Sequence, residues 1–351
     1  MTSAEQNATA TRYILIAIAL LAVAAILWTI ADVLVIGFGA IVFAAVLRAI
    51  VEPVARVTHL SERLTLVVVV LALLALFGLL FWLFGRQAAH QFADMREQLP
   101  GAIEKARAWL EGNPIGRTIL GLFQQSSENG DTFGIGKAGL ALGATVGGLA
   151  NLLLIIFAGV YLAADPKLYR NGALRLLPPS RRAQVGHALD DAGLALRKWL
   201  VAQIIVMVAV GLMSGIGLAL LGVPLSLSLG LLAGLLEFVP VVGPIAAGIP
   251  AVLLGFTQGP ETALYVLILY VAVQQIESNV LTPLIQRWAV ELPPVIALLS
   301  IVAFGLLFGV MGVIFATPMA VVVMAMVQHL YVEDTLENGR AEPKRPSRKR
   351  S

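Results

Sequence analysis

The chain has 351 residues, of which 59% are hydrophobic and only 13% charged, and its formal charge is +3. Soluble domains run at about 45–50% apolar and about 25% charged, so this composition excludes a soluble globular protein and implies an integral membrane protein. There are no cysteines, which excludes disulfides and thiol chemistry; the four histidines (His59, His90, His187, His329) are far apart and suggest neither a metal site nor any other cofactor.

About 20 apolar residues cross a bilayer as a helix. Three such runs, about Tyr13–Ile30, Val33–Ile50 and Leu64–Phe84, make an N-terminal unit over 1–84. Residues 85–137 carry balanced charges. The spacing of Ile103, Ala106 and Leu110 and the breaker EGNP predict two short amphipathic helices outside the membrane, ending in a Gly/Ser/Asn-rich loop, Ser126–Gly136. A core over 138–332 opens with a span at about Gly139–Ala164, closed by Asp165-Pro166.

The next stretch, 167–198, is basic. Val185, Leu189, Ala192, Leu196 and Trp199 form one apolar stripe. That predicts an amphipathic helix over 180–199, with Arg181, Arg182, Arg197 and Lys198 at the cytoplasmic interface; a solvated connecting helix is the plainer alternative. A span from Leu200 to Leu221 follows. The positive-inside rule puts both termini, the loop with Arg48, Arg56 and Arg63, and the 167–198 stretch in the cytoplasm. The tail 333–351, rich in Lys and Arg, reads as disordered and drawn to anionic lipid. No aromatic interleaves its charges, so nucleic acid is not predicted as a partner.

Two later units are broken. In LLEFVPVVGPIAAGIP (235–250) a carboxylate, Glu237, precedes Pro240, Gly243, Pro244 and Pro250. Proline and glycine interrupt a helix, and non-helical backbone at membrane depth survives only where protein buries it or a watery cavity borders it. Residues 224–257 therefore read as a re-entrant hairpin. Residues 293–332 break similarly at Gly309 and Gly312, with Pro318 beyond; Pro224/Pro250 and Pro293/Pro318 bracket the two units at nearly equal spacing. This is a faint internal repeat, and the second unit is either re-entrant or two full spans.

Between them lies QQIESNVLTP. Gln274, Gln275, Ser278, Asn279 and Thr282 fall on one broad helical face with Glu277 at its edge, and Pro283 ends the run. Amides and carboxylates suit a cation or a hydroxylated solute, and an acidic group within a bilayer usually faces a cavity or a partner. The plainer alternative for Glu237 and Glu277 is a position near an interface or at a helix cap. Enzyme motifs are absent: GLMSG (211–215) has Leu212 where a serine-protease loop needs glycine, and there is no phosphate-binding P-loop.

The runs LRLLPPSRRAQV, LRKWLVAQ, EFVPVVGP, QQIESN and PPVIALLSIVAFGLLFGVMGVIFATP closely resemble the autoinducer-2 exporter (AI-2E) family of bacterial permeases, over about residues 170–325. The resemblance implies a homo-oligomeric inner-membrane transporter that exports a small polar solute such as autoinducer-2, with some members exchanging Na⁺ or Li⁺ for H⁺. It marks Glu237, Pro240, Gly243, Pro244, Gln274, Glu277, Asn279, Pro283, Gly309, Gly312 and Pro318. One departure is Ser278, where many members have glycine. The combined expectation is an all-α polytopic membrane protein of six to eight crossings with one or two re-entrant hairpins. Its partners are the bilayer and a solute or cation. A passive channel and a non-transporting scaffold are the alternatives.

Overall fold

The computed structural model describes residues 29–112, 117, 145–286 and 292–330. The predicted first span up to residue 28, the 126–136 loop and the 333–351 tail lie outside the described residues. Within them the chain is helical and holds no strand. In order come α1 (Ala31–Thr58), α2 (Glu62–Gly112), α3 (Thr145–Ala164), α4 (Pro166–Arg175), α5 (Pro179–Leu220), α6 (Ser226–Leu236), α7 (Val242–Gln258), α8 (Pro260–Ile276), a π-turn (Glu277–Leu281), α9 (Thr282–Gln286) and α10 (Pro294–Val327). By length and composition, four stretches are fit to cross a membrane among the described residues, those of α1, α5, α8 and α10; α3 and α4, bent by 89°, make a fifth if taken as one span. The chain is an all-α multi-pass membrane protein.

Two predicted boundaries fall inside continuous helices. No break separates 1–84 from 85–137: α2 runs 51 residues from Glu62 to Gly112, carrying Leu64–Phe84 as its first half. A single glycine costs a helix only about 1 kcal/mol, so Gly85 does not end it. Likewise the amphipathic stretch 180–199 and the span after it are one helix, α5, of 42 residues. Pro179 starts it at a first-turn position where a missing N–H costs nothing.

Helix α5 is the spine. Leu196, Trp199 and Leu200 are buried with Val35 and Val42 of α1 and Phe315 and Val321 of α10. Arg197 of α5 pairs with Glu52 of α1 at the edge of this cluster. Along the next turns, Gly211 and Gly215 face Gly230 and Gly234 of α6 so closely that a Cβ on Gly230 would lie 2.5 Å from the Gly215 Cα. Paired small-xxx-small motifs let two helix backbones touch, which substitutes for the hydrophobic drive that lipid does not supply.

Both broken units are hairpins. In the first, α6 (11 residues) and α7 (17 residues) are joined at Glu237–Val241. The Val242 N–H donates to Pro240 O at 2.8 Å, and Val241 has φ 70° and ψ −51°. That is the three-residue γ-turn of the rare kind, adopted here by a β-branched residue for which positive φ is strained. Gly243 packs so tightly on the Leu236 carbonyl that any side chain would overlap it. In the second, Gly309 breaks α10 with φ 62° and ψ −145°. Gly312 then meets the carbonyl of Phe304, eight positions earlier in the sequence. A straight helix separates such positions by about 12 Å, so the chain folds back here, with arms of 294–308 and 310–327.

The two hairpins open toward opposite ends of α5. The base of the first meets the C-terminal end of α5, where Gln258 Nε2 donates to Gly222 O at 2.6 Å. Helix α2 braces the same base: Lys105 Nζ donates to Thr257 O at 3.2 Å, and Trp109 lies 5.7 Å from Phe256. The base of the second meets the N-terminal half of α5, where His329 Nδ1 is 3.0 Å from an Asp191 carboxylate oxygen.

Candidate transport site

The tip of the first hairpin is buried. Glu237 is 3% exposed, and its Oε2 has no hydrogen-bond partner. Burying a carboxyl without a full set of partners is costly. Phe238 beside it packs edge-on to Trp199 at 6.0 Å between ring centroids. Glu277, at the start of the turn that follows α8, is the second acid and is half-buried.

Local sequence explains Glu277's position. Pro283 has no N–H and its ring clashes with the carbonyl four residues back, so the helix widens before it. The result is the π-turn Glu277–Leu281, in which the Thr282 N–H bonds to Glu277 O across five residues. Such single π-turns often occur at functional sites. Gln274 Nε2 donates to the Glu277 carboxylate, and the Ser278 hydroxyl donates to Gln274 O.

Three elements place this polar group at one depth. Gln203 lies 17 positions before the end of α5, α7 is 17 residues long, and Glu277 follows the 17 residues of α8. At 1.5 Å per residue each is about 25 Å from the shared end at Gly222 and Gly259. The layer therefore holds Gln203, Glu237, Gln274 and Glu277.

The predicted polar face is not one cluster. Gln274 and Glu277 are half-buried toward Glu237, whereas Gln275, Ser278 and Asn279 are exposed. Asn279 Nδ2 turns back on Gln275, at 2.9 Å to its backbone oxygen and 3.3 Å to its side-chain oxygen. A 100° projection groups residues by angle but does not say which edge of a broad face meets the protein. Beside the site, a groove of about 760 Å³ runs between α7 and α8, with Val241 and Pro244 at the tip end and Gln274 as its polar edge. Pro250 lies within α7, and Pro318 is buried in the second arm of α10.

The basic residues divide too. Arg182 donates from Nε to Leu177 O at 2.9 Å and from its guanidinium to Arg175 O at 3.2 Å, so it closes the C-terminal end of α4. Arg197 is engaged with Glu52. Arg197 is half-buried, while Arg181, Arg182 and Lys198 are exposed.

Gln203 was not among the predicted site residues. It donates to the Glu237 backbone carbonyl at 2.6 Å and is buried. A lone amide in LVAQIIVM was the available signal. The glycine pairs of GLMSG and GLLAG also went unread as a contact.

An all-α fold with several apolar spans and two oppositely directed hairpins, one tipped by a buried acid, defines a multi-pass membrane protein. The chain belongs to the AI-2E transporter family, whose profile it matches over residues 14–332. It is 31% identical to the transport protein YueF of Bacillus subtilis over 189 residues, 53% of this chain and 51% of that one. It is 40% identical to the transport protein MT0215 of Mycobacterium tuberculosis over 105 residues, 30% and 29% of the two chains. The permease PerM of Escherichia coli K12 is 27% identical over 191 residues, 51% of this chain and 54% of that one. The chain spans about half or less of the length of these relatives.

Proposed function

We propose that the protein is a secondary transporter of the bacterial inner membrane. It exports a small polar solute, such as autoinducer-2, in exchange for a proton or sodium ion that binds at Glu237 and Glu277. The carrying observation is Glu237: a buried carboxyl with an unpartnered oxygen, at a strained turn, with a second carboxylate nearby. Gln274 orients Glu277, and Pro240, Gly243 and Pro244 shape the turn. The inverted hairpins suit alternating access around a site near mid-membrane. Both termini lie in the cytoplasm in this reading, with Asp191, His329 and the exposed Arg181 and Lys198 on that side. Gln275, Ser278 and Asn279 face outward at membrane depth, where lipid offers amides no partner; a second copy of the chain covers them.

A second reading, exchange of Na⁺ or Li⁺ for H⁺ with no organic cargo, is favoured by the acid pair itself, since two carboxylates and an amide can hold a bare cation. Purified protein in liposomes, loaded with a solute panel under imposed pH or Na⁺ gradients, separates the two. Gradient-driven solute flux lost in Glu237→Gln supports the first, and cation-for-proton exchange without any solute supports the second. Flux indifferent to every gradient identifies a passive channel. No flux of any kind from protein that is folded identifies a scaffold.

A further inference from the structure

Gln203 donates a buried hydrogen bond to the backbone of the residue that carries the proposed coupling acid. Its amide lies 2.6 Å from Glu237 O, and the residue is 8% exposed. The need for this bond follows from the broken helix. α6 ends at Leu236, and the γ-turn takes Val241 out of helical register, although the Val241 N–H is the donor that an unbroken helix would offer to Glu237 O. In a bilayer an orphaned carbonyl costs several kcal/mol. A side chain from α5 takes the missing donor's place.

The amide also stands at the head of a row. On α5, residues 203, 207, 211 and 215 recur every fourth position along one face. A Cβ on Gly234 would meet Met207 O at 2.7 Å and the Gly211 Cα at 3.1 Å, and a Cβ on Gly230 would meet the Gly215 Cα at 2.5 Å. The glycines fix the separation of α6 and α5. Gln203 is the specific bond at the head of that row. It sets the height and rotation at which the hairpin presents Glu237.

We propose that Gln203 is a positioning residue for transport: through the Glu237 carbonyl it fixes where the Glu237 carboxyl stands relative to Glu277. The proposal rests on the reading of Glu237 as the coupling acid. Gln203 touches neither cargo nor ion, so its loss changes the environment of the carboxyl and not the number of binding groups.

The test is Gln203→Leu in the full-length protein. Three readouts are combined: folded yield from size-exclusion chromatography in detergent, the pH profile of flux per folded molecule in liposomes, and infrared difference spectra. The carboxyl band of Glu237 is identified in those spectra by its disappearance in Glu237→Gln. The expected result is near-normal yield, a shift of at least one pH unit in the midpoint of flux, and a displaced Glu237 carboxyl band. A wild-type pH midpoint and an unmoved band overturn the proposal, whatever the yield. If Gln203→Leu does not fold, Gln203→Asn, which keeps the amide but is one methylene too short, is judged on the same readouts. Flux that survives Glu237→Gln sinks the transport reading instead, and the band, which needs no flux, still decides whether Gln203 positions the carboxyl.

Discussion

Gly230 lies back to back with Gly215: a Cβ on the first would come within 2.5 Å of the Cα of the second and 2.8 Å of its nitrogen. Both atoms belong to backbone inside a helix, so neither can move aside alone. Gly230→Ala therefore forces α6 away from α5, and overpacking of this kind costs about 1–3 kcal/mol. Gly193→Ala in the same helix meets nothing within 4 Å and should stabilise by about 0.5–1 kcal/mol through helix propensity. Thermal unfolding of the two variants in one detergent checks the contrast. Equal midpoints would remove the glycine seam from the account.

Gly309 and Gly312 should be intolerant of alanine for different reasons. Gly309 needs a positive φ, which costs an alanine about 1–2 kcal/mol. Gly312 faces the Phe304 carbonyl, and a methyl group there must push the arms apart. Gly312→Ala is thus the more damaging, and because ψ −145° puts Gly309 in a region open essentially to glycine alone, Gly309→Asn should lose about as much as Gly309→Ala. Folded yield and melting temperature of the three variants test this order.

Much of this fold was legible in the residues. The prolines and glycines of VPVVGP announced a break, because their backbone restrictions are local. The acid in EFVP announced a protected site, because lipid tolerates few charges. Length limits on local reading explain the misses. The continuity of α2 through Gly85 depends on neighbours that supply no stop. Which edge of the QQIESN face turns inward depends on where the first hairpin packs. Gln203 owes its role to an orphan carbonyl 34 positions away, which no spacing rule connects to it.

Arg48 and Glu62 tie α1 to the start of α2 at 2.6 Å. The hydrogen bond and charge of Arg48 hold the Glu62 carboxyl below its ordinary range. A carboxyl lowered in the folded state lends stability above its unfolded value, and that contribution disappears as pH falls through the folded one. Glu62 is exposed, so the tie is worth under about 1 kcal/mol. The wild type should keep its stability advantage over Glu62→Gln at pH 7 and lose it only below the ordinary carboxylate range, so that the gap is smaller at about pH 3. Melting curves at both values decide it, and a gap that widens on acidification contradicts the assignment.

The opposite openings of the hairpins predict sidedness. The chain lacks cysteine, so single replacements report cleanly. Glu261→Cys, exposed beside the base of the first hairpin, should react with an impermeant maleimide added outside intact cells. Gln328→Cys, exposed at the base of the second, should react only after permeabilisation. Reaction of both from one side would rule out the inverted arrangement.

The central claim is that transport passes through a carboxyl buried within the membrane, and a membrane-soluble carbodiimide tests it most directly. Protein in liposomes is treated with dicyclohexylcarbodiimide, the modified residues are located by mass spectrometry, and flux is followed on the same sample. The account predicts modification at Glu237, a loss of flux in proportion to it, and slower modification when the transported solute or cation is present. Flux that continues unchanged after Glu237 is fully modified would contradict it.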